Sequence, residues 1–134
     1  STHPVTGVSF VERIVTYKGK KLRAVSPQFE SLRDVQLPEE FYEMSDAFQN
    51  KYCNEKLKEA VANDVELRNR FTEEELMQIE RGEKPANYTW HHDVEPGRVQ
   101  LVNRVQHLRT GHTAGGALWG GDGDGDNGEN LSED

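Results

Sequence analysis

The chain has 134 residues, is 34% hydrophobic and carries a formal net charge of −8 at neutral pH, which is enough for one small domain with a modest core. It contains no apolar run long enough to span a bilayer, which needs about 18 residues, so a soluble domain is expected; no N-terminal stretch has the order of a signal peptide, so a secreted origin would require export as part of a larger protein. The single Cys53 excludes an intramolecular disulfide framework and is compatible with a reducing cytosol.

Residues 8–16 and 20–25 flank Tyr17-Lys18-Gly19 and read as a β-hairpin with lysines at its tip. Pro38 opens a helical segment over 39–62, in which Phe41, Met44, Phe48, Tyr52 and Leu57 form a stripe expected to pack into the core. Asp64 is placed to cap a short helix ending near Arg70. Thr72-Glu73-Glu74-Glu75 is a capping-box pattern for a helix ending at Arg81, with Gly82 as its stop. These elements are expected to form a scaffold beneath the segment that follows.

Residues 88–116, YTWHHDVEPGRVQLVNRVQHLRTGHTAGG, hold four of the five histidines: His91, His92, His107 and His112. Residues 88–92 are aromatic and β-favouring, Glu95-Pro96-Gly97 signals a turn, and 98–102 alternate polar and apolar side chains, which together predict a second hairpin. Asn103 is a plausible N-cap for a helix through Thr110, ended by Gly111; His107 then projects from the helix and His112 from the loop after it. Imidazole is the commonest ligand for first-row divalent ions, and near neutrality it also serves as a general base. The spacing excludes the HExxH metalloprotease helix, and one cysteine excludes a classical zinc finger. On spacing alone, a His-His doublet is as readily a packed dipeptide as a site. Trp90 and Trp119 read as core aromatics rather than platforms for bases. Arg98, Arg104 and Arg109 lie in the same segment; they form either a solvated face or a fork for phosphate oxygens.

Taken in order, Trp90-His91-His92, Gly97-Arg98, Gln100-Leu101-Val102, His107, Gly111-His112-Thr113, Gly115-Gly116 and Trp119-Gly120 resemble the Trp-His-His branch of the HNH and endonuclease VII superfamily. Upstream, Gly7-Val8-Ser9-Phe10, Gln36-Leu37-Pro38-Glu39 and Phe71-Thr72-Glu73-Glu74-Glu75 are similar to segments preceding this motif in bacterial toxins. The resemblance implies an α+β fold with a ββα-metal core, spanning 88–119, on a hairpin and helical scaffold over 8–87, within one domain of residues 1–121. It implies an endonuclease toxin, secreted or delivered as part of a larger protein, that acts on DNA in the cytoplasm of a competing bacterium and is neutralised by a cognate immunity protein. By the same resemblance His91 is a metal ligand at the catalytic centre, His92 the general base, and His107 and His112 complete the shell of one divalent ion. The superfamily's middle Asn has no certain counterpart; Asn103 and Gln100 are both open for it. Histidine ligands admit zinc, nickel, cobalt or manganese, and magnesium where oxygen ligands dominate. RNA (tRNA or rRNA) is the alternative substrate; a closed structural metal module and a metal-free interaction domain are the alternatives to an enzyme.

The acidity runs against a wide basic groove for nucleic acid. Residues 122–134 hold six acids and no base, which leaves −2 on residues 1–121, so a compact contact centred on a cation is expected. This Gly- and Asp-rich tail reads as solvated. Asp122, Asp124, Asp126 and Glu133 echo a calcium loop, but the required glycine is displaced to Gly128.

Overall fold

The computed structural model describes residues 1–111, 116–120 and 128–130. Strands β1 (Phe10–Tyr17) and β2 (Lys20–Pro27) form the expected N-terminal hairpin, with Tyr17 opposite Lys20. The turn leaves only Lys18 and Gly19 between the strands, at φ 51° and 75°. A two-residue hairpin turn whose twist matches that of its strands requires positive φ at both positions, which explains why a lysine adopts it here. A short strand, β6 (Gly128–Asn130), runs antiparallel to β2 opposite Leu22–Ala24, so these three residues of the tail are a paired strand and not solvated coil. The aspartates of the calcium-loop pattern and Glu133 lie outside the described residues.

The second sheet has the order β3-β5-β4, all antiparallel: β3 (Asp34–Gln36), β5 (Arg98–Asn103) and β4 (Tyr88–His92). β3 has no counterpart in the sequence reading, because three residues are too few to show a period of two. Pairing on both sides makes β5 central, and its Val99, Gln100, Leu101 and Val102 are all buried. The sheet therefore has two working faces. In register, Trp90 stands opposite Leu101 and His92 opposite Val99 on one face, while His91 stands opposite Gln100 and Thr89 opposite Val102 on the other.

The first face is covered by the helical scaffold. The segment expected to be one helix from 39 is divided: a 3₁₀ turn at Glu39–Phe41 precedes α1 (Asp46–Asn63). Ser45 sets the break, since its side chain accepts from the Phe48 amide at 3.2 Å and so caps the first turn of α1. The capped start also changes the buried stripe. Gln49, Cys53, Leu57, Ala60 and Val61 face the core, whereas Met44 and Phe48 are exposed, contrary to the packing expected of them. α2 (Val65–Arg68) and α3 (Glu73–Glu80) start as the sequence indicates: Asp64 accepts from Leu67, and Thr72 and Glu75 complete a reciprocal capping box. Leu57, Leu67, Phe71, Ile79, Trp90, Val99, Leu101 and Trp119 make one continuous core, from which Leu57 truncated to alanine would remove about 2–5 kcal/mol. The opposite face carries a smaller cluster, Val8, Phe29 and Val102, alongside α4 (Arg104–Thr110). The whole is a mixed α+β fold compatible with a ββα nuclease core.

Candidate active site

The hairpin β4–β5 runs straight into α4, with Asn103 as hinge: its side chain accepts from the Gln106 amide at 2.8 Å and caps the helix. Arg104 N also donates to Asn87 O at 2.9 Å, tying the helix start to the beginning of β4. One turn along α4, His107 reaches back over the sheet. Its Nε2 lies 3.2 Å from Nδ1 of His91, a residue only 2% exposed. Phe29 braces both rings, edge-on to His91 at 4.9 Å between centroids and tilted to His107 at 5.3 Å.

This pair suits a divalent cation. Two imidazole nitrogens on one tetrahedral ion, each bonded at about 2.0–2.1 Å, stand about 3.3 Å apart. Without an ion, one of the two nitrogens must carry the proton that the other accepts. His112 lies outside the described residues, and among the described residues no group of three or more His, Cys, Asp or Glu side chains is gathered to hold a metal.

His92 is not brought to this pair. Because successive residues of a strand point to opposite faces, its ring enters the α1 side, 5.1 Å between centroids from Trp119, the last residue of α5 (Gly116–Trp119). His92 Nε2 is 2.6 Å from Gln49 Oε1 and 3.8 Å from Asp46 Oδ1. The neighbouring Trp90 donates its indole N–H to Asn54 Oδ1 at 2.8 Å, a second tie between β4 and α1. Both tryptophans are buried, as the sequence reading held.

Of the arginines, Arg98 is engaged within the fold: its Nε and Nη2 contact Asp34 Oδ2, each at 2.8 Å, and Nη1 lies 3.3 Å from Asp93 Oδ2. Burial pushes the Asp34 carboxyl up, but the hydrogen bonds and charge of the Arg98 guanidinium outweigh it and hold the group below the usual range. Gln100 reaches Asp34 Oδ1 at 3.5 Å. Arg104 and Arg109 are exposed; Arg104 donates to Ala86 O at 3.2 Å, and Arg109 lines a shallow groove with Val5, Thr6, Glu30 and Gln106. Burial and the nearby Arg104 charge push the Lys84 ammonium down, so two cations stand together at the start of α4.

Two residues outside the sequence reading complete the surroundings. Asp93, directly after the doublet and 2% exposed, receives Arg13 Nη1 on both carboxylate oxygens, at 2.9 and 3.0 Å, and the Glu95 amide at 3.1 Å. Its carbonyl accepts the Trp119 indole N–H at 2.7 Å. Asp93 thus joins the N-terminal hairpin, the β4–β5 turn and α5. Gln49 is the other. A polar residue four and eight positions before Cys53 and Leu57, on the buried stripe of a helix, was the signal available for it.

The site is thus a hairpin leading into a short helix, with two imidazoles paired where they meet. A family model described as the DNase/tRNase domain of colicin-like bacteriocin matches residues 20–114, and the chain belongs to that family. It is therefore a nuclease domain of the bacteriocin type, whose substrate is nucleic acid. No curated protein and no solved structure matches the chain. No helix among the described residues is long and apolar enough to cross a membrane.

Proposed function

We propose that this domain is a metal-dependent endonuclease of the Trp-His-His type that hydrolyses DNA, is delivered into competing bacteria as part of a larger toxin, and is held inactive in the producer by an immunity protein. The observation that carries the proposal is the His91–His107 pair, 3.2 Å apart and inside the segment matched by the family. His91, His107 and His112 are the residues to hold one divalent ion. When bound, that ion supplies positive charge to the non-bridging phosphate oxygens as negative charge grows on them.

The chain's own groups supply the rest. His92, as the resemblance implies, takes the proton from the attacking water; this requires a water that reaches the α1 side of β4, where the ring lies, and a neutral ring, so activity falls on acidification. Gln49 supports this role: an acceptor 2.6 Å from His92 Nε2 keeps the proton on that nitrogen and the lone pair on Nδ1. Arg104 and Arg109 on the exposed side of α4, with Lys84 beside Arg104, are the groups to hold flanking phosphates. Arg98 holds Asp34 and Asp93 and takes the lesser part.

The test is a plasmid-nicking assay with and without chelator, with an RNA substrate in parallel. Cleavage of DNA that stops on chelation and returns with added divalent ion is expected. Chelator-resistant cleavage overturns the metal, and cleavage confined to RNA moves the substrate to the tRNase side of the family's description.

A further inference from the structure

Gln49 is 1% exposed and both its ends are committed. Its Nε2 donates to two successive carbonyls, Phe41 O and Tyr42 O, each at 2.8 Å. Phe41 ends the 3₁₀ turn and Tyr42 follows it, so Gln49 ties that segment to α1. An amide rotated by half a turn would set Oε1 against two carbonyl oxygens, so its orientation is fixed by the backbone and not by His92. Oε1 therefore arrives at His92 as an acceptor, and at 2.6 Å the imidazole Nε2 must donate to it. The carboxylate of Asp46, 3.8 Å from the same nitrogen, favours a proton there as well. A neutral His92 is then the Nε2–H tautomer, held against rotation of the ring, with Trp119 at its side.

We infer that Gln49, from a helix far outside the histidine motif, is the positioning residue for the general base: the backbone of the 39–42 segment sets Gln49, and Gln49 sets the tautomer and ring orientation of His92. The inference rests on the reading of His92 as base. It also assigns a function to the polar residue on the stripe of α1, which an apolar side chain of equal length would fill without that hydrogen bond.

Three variants test it: Gln49→Met, Gln49→Glu and His92→Ala. In the parent protein, imidazole ¹⁵N spectra should give His92 one protonated and one bare nitrogen, with a downfield, slowly exchanging Nε2 proton. Gln49→Met should lose that proton signal and lower kcat about tenfold, the effect of one neutral hydrogen bond, with KM for DNA unchanged. Gln49→Glu keeps an acceptor towards His92 and should retain the Nε2 proton, while its second oxygen, set against the Phe41 and Tyr42 carbonyls, should lower Tm. Zinc binding to the folded Gln49 variants, followed by calorimetry, should match the parent, because His91 and His107 are on the other face. If His92→Ala abolishes cleavage while Gln49→Met leaves both the proton signal and kcat unchanged, the inference fails and the base survives. If His92→Ala cleaves normally, the base itself is wrong, whatever Gln49 does to the spectrum.

Discussion

The two faces of one five-residue strand carry different kinds of order. On the α4 side, His91 meets His107 with the rings steeply inclined, braced by Phe29 from a small cluster of three buried residues. On the α1 side, His92 and Trp90 are tied by hydrogen bonds to a helix that belongs to the main core. One face brings two nitrogens together; the other holds a ring in place. The pleat thus sends adjacent histidines to opposite faces, and the doublet has two separate environments.

The largest effect expected from breaking this division is on rate. His92→Ala should lower kcat by about 10² to 10⁴, the usual contribution of a general base, while leaving metal affinity close to the parent's. His107→Ala should lose metal binding by calorimetry, and cleavage with it; equal metal loss in both variants would contradict the separation of the faces.

Next comes Asp93, which closes the turn between the faces. Asp93→Ala leaves Arg13 and Arg98 facing each other without their shared carboxylate and should destabilise the fold by about 3–5 kcal/mol in urea unfolding. A change below about 1 kcal/mol would show that the pair is solvated in solution. Gly97, at φ +76°, sits in the same turn, and a Cβ there would overlap Gln36 Nε2 and the Tyr42 ring. Gly97→Ala should cost about 1–3 kcal/mol and displace the turn that follows the doublet, visible as a lowered Tm. A neutral result would mean that the Tyr42 ring moves aside freely.

The smallest effect is a pH dependence. The Asp34 carboxyl is held below its usual range in the folded protein, so its contribution to stability is complete above the unfolded-state value, about 3.9, and is lost as pH falls through the folded value. Asp34→Asn should flatten that part of the acid side of the stability curve; an unchanged curve would remove the Asp34–Arg98 link from the account. Cys53 stays outside all of this: burial pushes its thiol up to about 12, so it should resist thiol reagents until the core opens.

The residues themselves determined a good deal of this protein. Caps at Asp64, Thr72 and Asn103, the Lys18-Gly19 turn and the 88–110 hairpin and helix are local, each fixed by hydrogen bonds or φ values within a few residues, so they were legible before any fold was known. The pairing of His91 with His107, 16 residues apart, followed from a motif whose spacing is itself nearly local. What only the tertiary structure decided is everything that crosses the sheet. That β3 joins the second sheet, that Gly128–Asn130 lies along β2, that Gln49 meets His92, and that Arg98 is taken by Asp34 and Asp93 all depend on contacts between residues 40 or more apart, apart from the five-residue step from Arg98 to Asp93. Such contacts leave no period in the sequence, because burial and pairing of distant groups are settled when the helices and sheet close on one another.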